Sequence, residues 1–325
     1  MVKQLQAADI FLTIIHLIAG LLFLYLGAEG LVRGSASFAV RLGLTRLVIG
    51  LTIIAFGTSS PELVVSVKAA YNGQGDLSLG NIIGSNICNI ALILGLSSLI
   101  RPLGVNVQVV RLQIPIMIAV SLLLWALLMD GRLDRLEGVG LCMGILAYTI
   151  YSLHLARKET GQSFRKQGRN PEEGSMPKFW INALLVAGGL ALLVFGANLF
   201  VSGAVSMAKI LHVSQALIGL TIVAVGTSLP ELATSLVAAL RKEGDIAIGN
   251  VVGSNIFNIL AILGISSLVR PIEMGGIGKG DIMMMILTAI LTLPMAWSGF
   301  RLARWEGIIL LALYGGYIYY LLPSH

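Results

Sequence analysis

Apolar residues run along this chain in blocks of about 20, with polar residues confined to short gaps between them. Blocks of that length match helices that cross roughly 30 Å of hydrocarbon. They fall at about 10–32, 45–71, 77–99, 111–129 and 138–156, and again at about 180–208, 214–240, 246–268, 281–299 and 305–322. Between the two sets lies RKETGQSFRKQGRNPEEGSMPK, from Arg157 to Lys178, charged and without apolar periodicity, which predicts a linker. The pattern predicts an all-α membrane protein with ten transmembrane helices: a five-helix unit over 1–156, a linker over 157–179 and a second five-helix unit over 180–325. The first block is too long for the core of a signal peptide and is not followed by a small-residue cleavage site, so it reads as a retained helix.

The second unit repeats the first at a constant offset of 169 residues. Laying Ile49–Pro102 over Ile218–Pro271 gives 33 identities in 54 positions. The register holds outside that window, since Gly20, Gly27 and Gly34 fall on Gly189, Gly196 and Gly203. Five spans per unit is odd, so the second copy must enter the membrane from the opposite side. The expected architecture is an inverted repeat, which keeps mid-depth residues of both copies at mid-depth.

At that depth each unit carries a carboxylate: GTSSPE at Gly57–Glu62 and GTSLPE at Gly226–Glu231. An ionisable group inside a spanning helix costs a few kcal/mol and marks an ion or substrate path. Pro61 and Pro230 each remove an N–H and should open the helix one turn upstream, freeing the Gly57 and Gly226 carbonyls. Such a break is tolerated at membrane depth only against protein or a watery cavity. Thr58 and Ser59, with Thr227 and Ser228, sit one turn before the glutamates if the helix continues. On the next span Asn81, Ser85 and Asn89 recur every four residues, matched by Asn250, Ser254 and Asn258, so each set shares a face. Gly80 and Gly84, like Gly249 and Gly253, allow close helix approach. Asn86 and Asn255 point about 100° away and read as interhelical glue. This inventory is all oxygen, with no His or Cys, which suits a hard cation such as Ca²⁺ and argues against zinc or copper.

Composition excludes other classes. Hydrophobic residues make up 56% and charged residues 12%, which no soluble domain of this length needs. The net charge of +6 arises without any basic cluster interleaved with aromatics, so it reports loop orientation and predicts no nucleic-acid partner. On the side of the N-terminus lie Lys3, Lys68, Arg132, Arg135, Lys209, Arg270 and Lys279; the other fifteen of 22 basic residues lie opposite, six of them in the linker. This places the linker in the cytoplasm and both termini outside. Cys88 and Cys142 have no CxxC or His-paired spacing and read as packing residues. Expected partners are the lipid bilayer and the transported ions, with no cofactor and no obligatory protein partner.

GTSSPE and GTSLPE, each followed by GNIIGSNICN or GNVVGSNIFN, resemble the two α-repeats of the cation/calcium exchanger superfamily, most closely its sodium/calcium antiporters. The resemblance covers nearly the whole chain. It implies ten helices and a mid-membrane site in which Glu62, Glu231 and the backbone of Thr58 and Thr227 hold Ca²⁺. It further implies Na⁺ sites completed by Ser59, Ser85, Ser228, Ser254, the carbonyls of Ala55 and Ala224, and the same glutamates, with Asn89 and Asn258 beside the centre. Many relatives have Asp where Asn258 stands, and the large regulatory loop of animal exchangers has no counterpart here.

The function implied is secondary antiport of Na⁺ against Ca²⁺, in the plasma (inner) membrane. The runner-up is proton/Ca²⁺ antiport, since a buried Glu can carry H⁺, although proton-coupled relatives use a GNxxE pattern in place of GTSxPE. A cation channel is disfavoured because the acids occur once per half and form no ring. An intramembrane enzyme is disfavoured because no nucleophile–base pair, HExxH or phosphate loop is present. Several other residues carry plainer expectations. Glu29 reads as an interfacial acid, with capping or gate lining as the alternative; Asp76 and Asp245 read as N-caps; Arg101-Pro102 and Arg270-Pro271 read as helix stops. The glycine series on the first helix of each unit reads as a smooth face for static packing or for sliding.

Overall fold

The computed structural model describes residues 2–42, 44–167, 179–211 and 224–321. Helices dominate: α1 (Val2–Leu42), α2 (Arg46–Thr58) and α3 (Ser60–Tyr71), α4 (Gly75–Ile100), α5 (Val109–Asp130) and α6 (Arg135–Gln167). After the linker come α7 (Phe179–Ile210), α8 (Leu229–Leu240), α9 (Gly244–Val269), α10 (Lys279–Phe300) and α11 (Arg304–Leu321). Among the described residues seven helices are long and apolar enough to span a membrane, and the bent pair α2 and α3 makes an eighth. Of the two other predicted spans, 214–240 lies outside the described residues up to 223. The last forms α11, whose charged start and Tyr314, Tyr317, Tyr319 and Tyr320 dilute its apolar character.

Helix α6 does not stop near 156 but runs to Gln167, because Arg, Lys, Glu and Gln are good helix formers and outweigh the single Gly161 within the stretch. Residues 168–178 lie outside the described residues. Helix stops at Arg101 and Arg270 are present, both residues adopting extended backbone after α4 and α9.

Helices α4 and α9, which carry the Asn/Ser stripes, form the centre: 78% and 94% of their apolar windows are buried, against 22% for α1, α6 and α7. The outer helices present Phe11, Ile18, Leu22, Leu146 and Leu184 outward, as helices facing lipid do. Helices α1 and α7 pack antiparallel along the glycine series. Gly20 faces Phe200, Gly27 faces Gly189 and Leu193, and Gly34 faces Asn182 and Leu185. A Cβ on Gly27 would stand 2.7 Å from the Gly189 carbonyl oxygen, so only glycine permits this approach.

Two short antiparallel ribbons join the loops. Strand β1 (Leu103–Gly104) pairs with β4 (Arg301–Leu302), and β2 (Arg132–Leu133) with β3 (Ile272–Glu273). Leu103 lies opposite Leu302, and Leu133 opposite Ile272, so each pairing is the 169-residue image of the other.

Candidate cation site

The glutamates lie where the second span of each half breaks. Between α2 and α3 the chain bends by 47°, with Ser59 at φ −82°, ψ 8°, outside helical geometry. Its N–H reaches the Ala55 carbonyl at 3.0 Å. Ser228 has the same backbone angles to within a few degrees (φ −88°, ψ 8°), and its N–H reaches the Val225 carbonyl at 3.1 Å. The expectation of Thr58 and Ser59 one turn behind Glu62 on a continuous helix is therefore corrected. A new helix begins, with Pro61 and Pro230 in the first turn, where a missing N–H costs nothing. Glu62 and Glu231 consequently occupy helix N-termini, the positive end of the helix dipole.

Both carboxylates are buried, with relative exposures of 1% and 0%. Each is gripped by a serine of the other half: Ser59 Oγ donates to Glu231 Oε1 at 2.8 Å and Ser228 Oγ to Glu62 Oε1 at 3.1 Å. The second oxygen of each, Oε2, has no hydrogen-bond partner.

The stripe residues divide into two groups. Asn81 is fully used: its Nδ2 donates to Ser66 Oγ at 2.9 Å and lies 3.4 Å from the Glu62 carbonyl, while its Oδ1 accepts from Thr227 Oγ1 at 3.5 Å. Asn250 repeats this with Ser235, the Glu231 carbonyl and Thr58 at 3.0, 3.4 and 3.1 Å. Thr58 Oγ1 also lies 3.0 Å from the Ile54 carbonyl. Ser85, Ser254, Asn89 and Asn258 differ. Both hydroxyls and both Oδ1 atoms are buried without partners.

Asn86 and Asn255 explain why oxygen is the free pole. Asn89 Nδ2 donates to Asn255 Oδ1 and Asn258 Nδ2 to Asn86 Oδ1, both at 3.0 Å. Asn86 and Asn255 in turn donate to each other's backbone carbonyls at 3.3 Å. With each amide nitrogen turned toward the opposite asparagine, Asn89 and Asn258 keep Oδ1 as their unpartnered acceptor. Their place in the helix is unusual as well, since the backbone changes to i→i+5 pairing over Cys88–Leu94 and Asn258–Leu263.

Six buried unpartnered oxygens on the glutamates and the two stripes thus come as three pairs: Glu62 and Glu231 Oε2, Ser85 and Ser254 Oγ, Asn89 and Asn258 Oδ1; a fourth repeat-related pair, Ser97 and Ser266 Oγ, lies further along α4 and α9. Leaving such groups unpaired costs about 1–3 kcal/mol each, more for a charge, unless a ligand satisfies them. The donor set is anionic and neutral oxygen, the preference of Na⁺ and Ca²⁺. Among the described residues no group of three His, Cys, Asp or Glu side chains offers a transition-metal site.

The family model for sodium/calcium exchanger proteins matches residues 12–154 and 181–322, one match per half. The chain belongs to the sodium/calcium exchanger family. It is 38% identical over 314 residues to the putative antiporter CaxA of Alkalimonas amylolytica, covering 95% of this chain and 98% of that protein. It is 30% identical over 339 residues to the sodium/calcium exchanger MaX1 of Methanosarcina acetivorans, covering 93% and 96%. Among solved structures, the sodium-calcium exchanger NCX_Mj, soaked without Na⁺ and Ca²⁺, matches with a TM-score of 0.83 at 33% identity, covering 96% of this chain and 99% of that one. The family is one of transporters, and this member is an integral membrane protein.

Other residues of this exchanger-family chain fall into place around the site. Ser66 and Ser235 escaped sequence reasoning, although they recur four residues after each glutamate; they anchor Asn81 and Asn250. Asp76 and Asp245 are not N-caps, since Gln74 and Glu243 hold those positions. The Asp76 carboxylate instead accepts from the Gly275 and Gly276 N–H groups at 2.7 and 2.8 Å, tying the α4 start to the loop before α10. Cys88 is buried and Cys142 half-buried, both as free thiols. Ala55 lies in α2 with its carbonyl accepting from the Ser59 N–H at 3.0 Å and lying 3.4 Å from Thr58 Oγ1. Ala224 lies in the helical turn Ala224–Gly226.

Proposed function

We propose that this chain is a secondary antiporter that exchanges Na⁺ for Ca²⁺ by alternating access at the mid-membrane site. The observation that carries this reading is the set of six buried, unpartnered oxygens, paired by repeat and including two carboxylates. Ca²⁺ takes six to eight oxygens in a flexible shell. Glu62 and Glu231, with the backbone oxygens of Thr58 and Thr227, hold it at the centre. Ser59, Ser85, Ser228 and Ser254, the carbonyls of Ala55 and Ala224, and both glutamates hold Na⁺, with Asn89 and Asn258 beside them. Because the glutamates serve both ions, occupancy by one excludes the other, which is what obligatory exchange requires.

The architecture in this reading is ten helices in two inverted five-helix units, 1–156 and 180–325, joined by a cytoplasmic linker, with both termini outside. Support comes from the ribbons. Each joins a loop after the third span of one half to a loop after the fourth span of the other. Such loops share a side of the membrane only if the second half enters from the opposite side. The antiparallel packing of the repeat-related helices α1 and α7 supports the same inversion.

The test is Ca²⁺ uptake into vesicles holding the purified chain, under an imposed Na⁺ gradient or an imposed H⁺ gradient. Uptake driven by outward Na⁺ and indifferent to H⁺ is expected. Uptake driven by H⁺ alone transfers the assignment to proton-coupled exchange, and uptake without any coupling ion transfers it to a channel.

A further inference from the structure

Repeat symmetry extends through the site, but on the surface it is broken by a cluster of charges around the turn between α8 and α9. Glu29, near one end of α1, pairs with Arg33 at 2.6 Å and with Arg241 in the turn between α8 and α9. Two residues along that turn, Glu243 pairs with Arg46 at the start of α2, at 2.6 Å. One turn is thereby tied by charge both to α1 and to α2. The 169-residue images of Glu29, Arg33, Arg46, Arg241 and Glu243 are Asn198, Ser202, Gln215, Asn72 and Gln74. All five charges are replaced by neutral residues.

The backbone does not share this asymmetry. Lys242, between Arg241 and Glu243, adopts φ 67°, and its image Gly73 adopts φ 76°. The two turns have the same left-handed bend, although one is built with a lysine, which tolerates it poorly. The difference between the faces is therefore one of charge.

The paired groups bridge α1 to the turn that joins the two site-bearing helices α8 and α9. Helix α1 is held to α7 by the glycine seam, whereas α8 and α9 carry Glu231, Asn250, Ser254 and Asn258. Arg241 and Glu243 also line a cleft of about 350 Å³ between that turn, α1 and α7, with Arg33 and the buried Asn182. Glu29 and Glu243 keep 15% and 17% side-chain exposure, while Arg241 keeps 33% and Arg46 50%, so the pairs are partly exposed and each is worth no more than a partly screened surface pair.

We propose that the Glu29–Arg241 pair, with Arg46–Glu243 behind it, is a one-sided latch that sets which face of the membrane the carrier rests open to. By the span count it lies on the linker face, and this rests on the antiport reading above. Opening the site toward that face separates α1 from the α8–α9 turn and breaks the latch. Opening toward the other face breaks no ion pair among the repeat images. The carrier therefore rests closed on the linker face, and ions arriving there meet a smaller competent fraction and a weaker apparent affinity.

The test uses the full chain in vesicles, with half-saturating Ca²⁺ measured separately at each face. Glu29→Asn and Arg241→Asn install the residues of the opposite face. Each is expected to lower half-saturating Ca²⁺ on the linker face by about two- to fivefold, the range set by partly exposed ion pairs, without lowering it on the other face. Arg241→Lys, which keeps the charge, stays near wild type. The converse pair Asn72→Arg with Asn198→Glu raises half-saturating Ca²⁺ on the face opposite the linker. Unchanged values on both faces, or equal shifts on both, overturn the latch. Spin labels at positions 37 and 242 read it without transport: the distance distribution widens in Arg241→Asn, and an unaltered distribution overturns the proposal. Absence of Na⁺-driven uptake by the wild type counts against the antiport reading and leaves this second measurement in force.

Discussion

The Ser59 hydroxyl donates to Glu231 across 172 residues of chain, and Ser228 returns the same bond to Glu62. Each carboxylate is thus oriented by the opposite half, which leaves its Oε2 free and fixes where negative charge is offered. Truncating the donor leaves Oε1 buried and unpaired. Ser59→Ala and Ser228→Ala should each weaken Ca²⁺ binding by about 10- to 100-fold, the usual cost of losing the partner that orients a cation ligand. Calorimetric titration of Ca²⁺ into the purified variants checks this.

Glu62→Gln and Glu231→Gln should each abolish Ca²⁺ exchange while the protein still folds and inserts. A divalent ion in a poorly screened site needs both negative charges, and one cannot neutralise it. Flux at matched protein level decides; near-normal exchange in either variant removes the glutamate from the Ca²⁺ shell.

Saturating Na⁺ on one face should suppress Ca²⁺ binding at that face, because the two ions use the same carboxylates. Equilibrium ⁴⁵Ca²⁺ binding at increasing Na⁺ measures it, and full simultaneous occupancy without mutual effect rules out exclusive exchange.

Asn81→Ala and Asn250→Ala should lower stability, and transport only secondarily. Each asparagine joins Ser66 or Ser235 to a threonine of the other half, and its loss strands buried hydroxyls at about 1–3 kcal/mol. Thermal unfolding in detergent should fall in both variants. An unchanged midpoint shows that the bridge carries no stability.

Asn258→Asp adds a negative charge beside the site that one more monovalent cation can neutralise, so it should make transport sensitive to K⁺, whereas the wild type should need none. Asn89 and Asn258 are both neutral, so the fixed charge near the site is that of two glutamates, and one Ca²⁺ balances it. Exchange of one Ca²⁺ for more than two Na⁺ should then move net charge across the membrane. Flux and current with and without K⁺ test both statements; a wild-type rate that collapses without K⁺ shows that position 258 does not set the site's charge.

Much of this was legible in the sequence because it depends on local pattern and on duplication. Span length follows from hydrocarbon thickness, and a repeated GTSxPE placed a carboxylate in each half whatever the packing. The Asn and Ser stripes were visible by helical spacing alone. What spacing could not reveal is which polar atoms are already spent. Asn81 and Asn89 look equivalent along α4, yet Asn81 is consumed by Ser66 and Thr227, whereas Asn89 keeps a free Oδ1 because Asn255 takes its nitrogen. Asp76 looked like a cap and instead holds a loop 199 residues away. The one-sided pairing of Glu29 with Arg241 was likewise decided by tertiary structure, whereas the helix break at Ser59 was already signalled by Pro61. The physical reason is common to these three. Hydrophobic length and periodicity are properties of neighbouring residues, but satisfying a buried polar group depends on partners that only the folded chain brings within 3 Å.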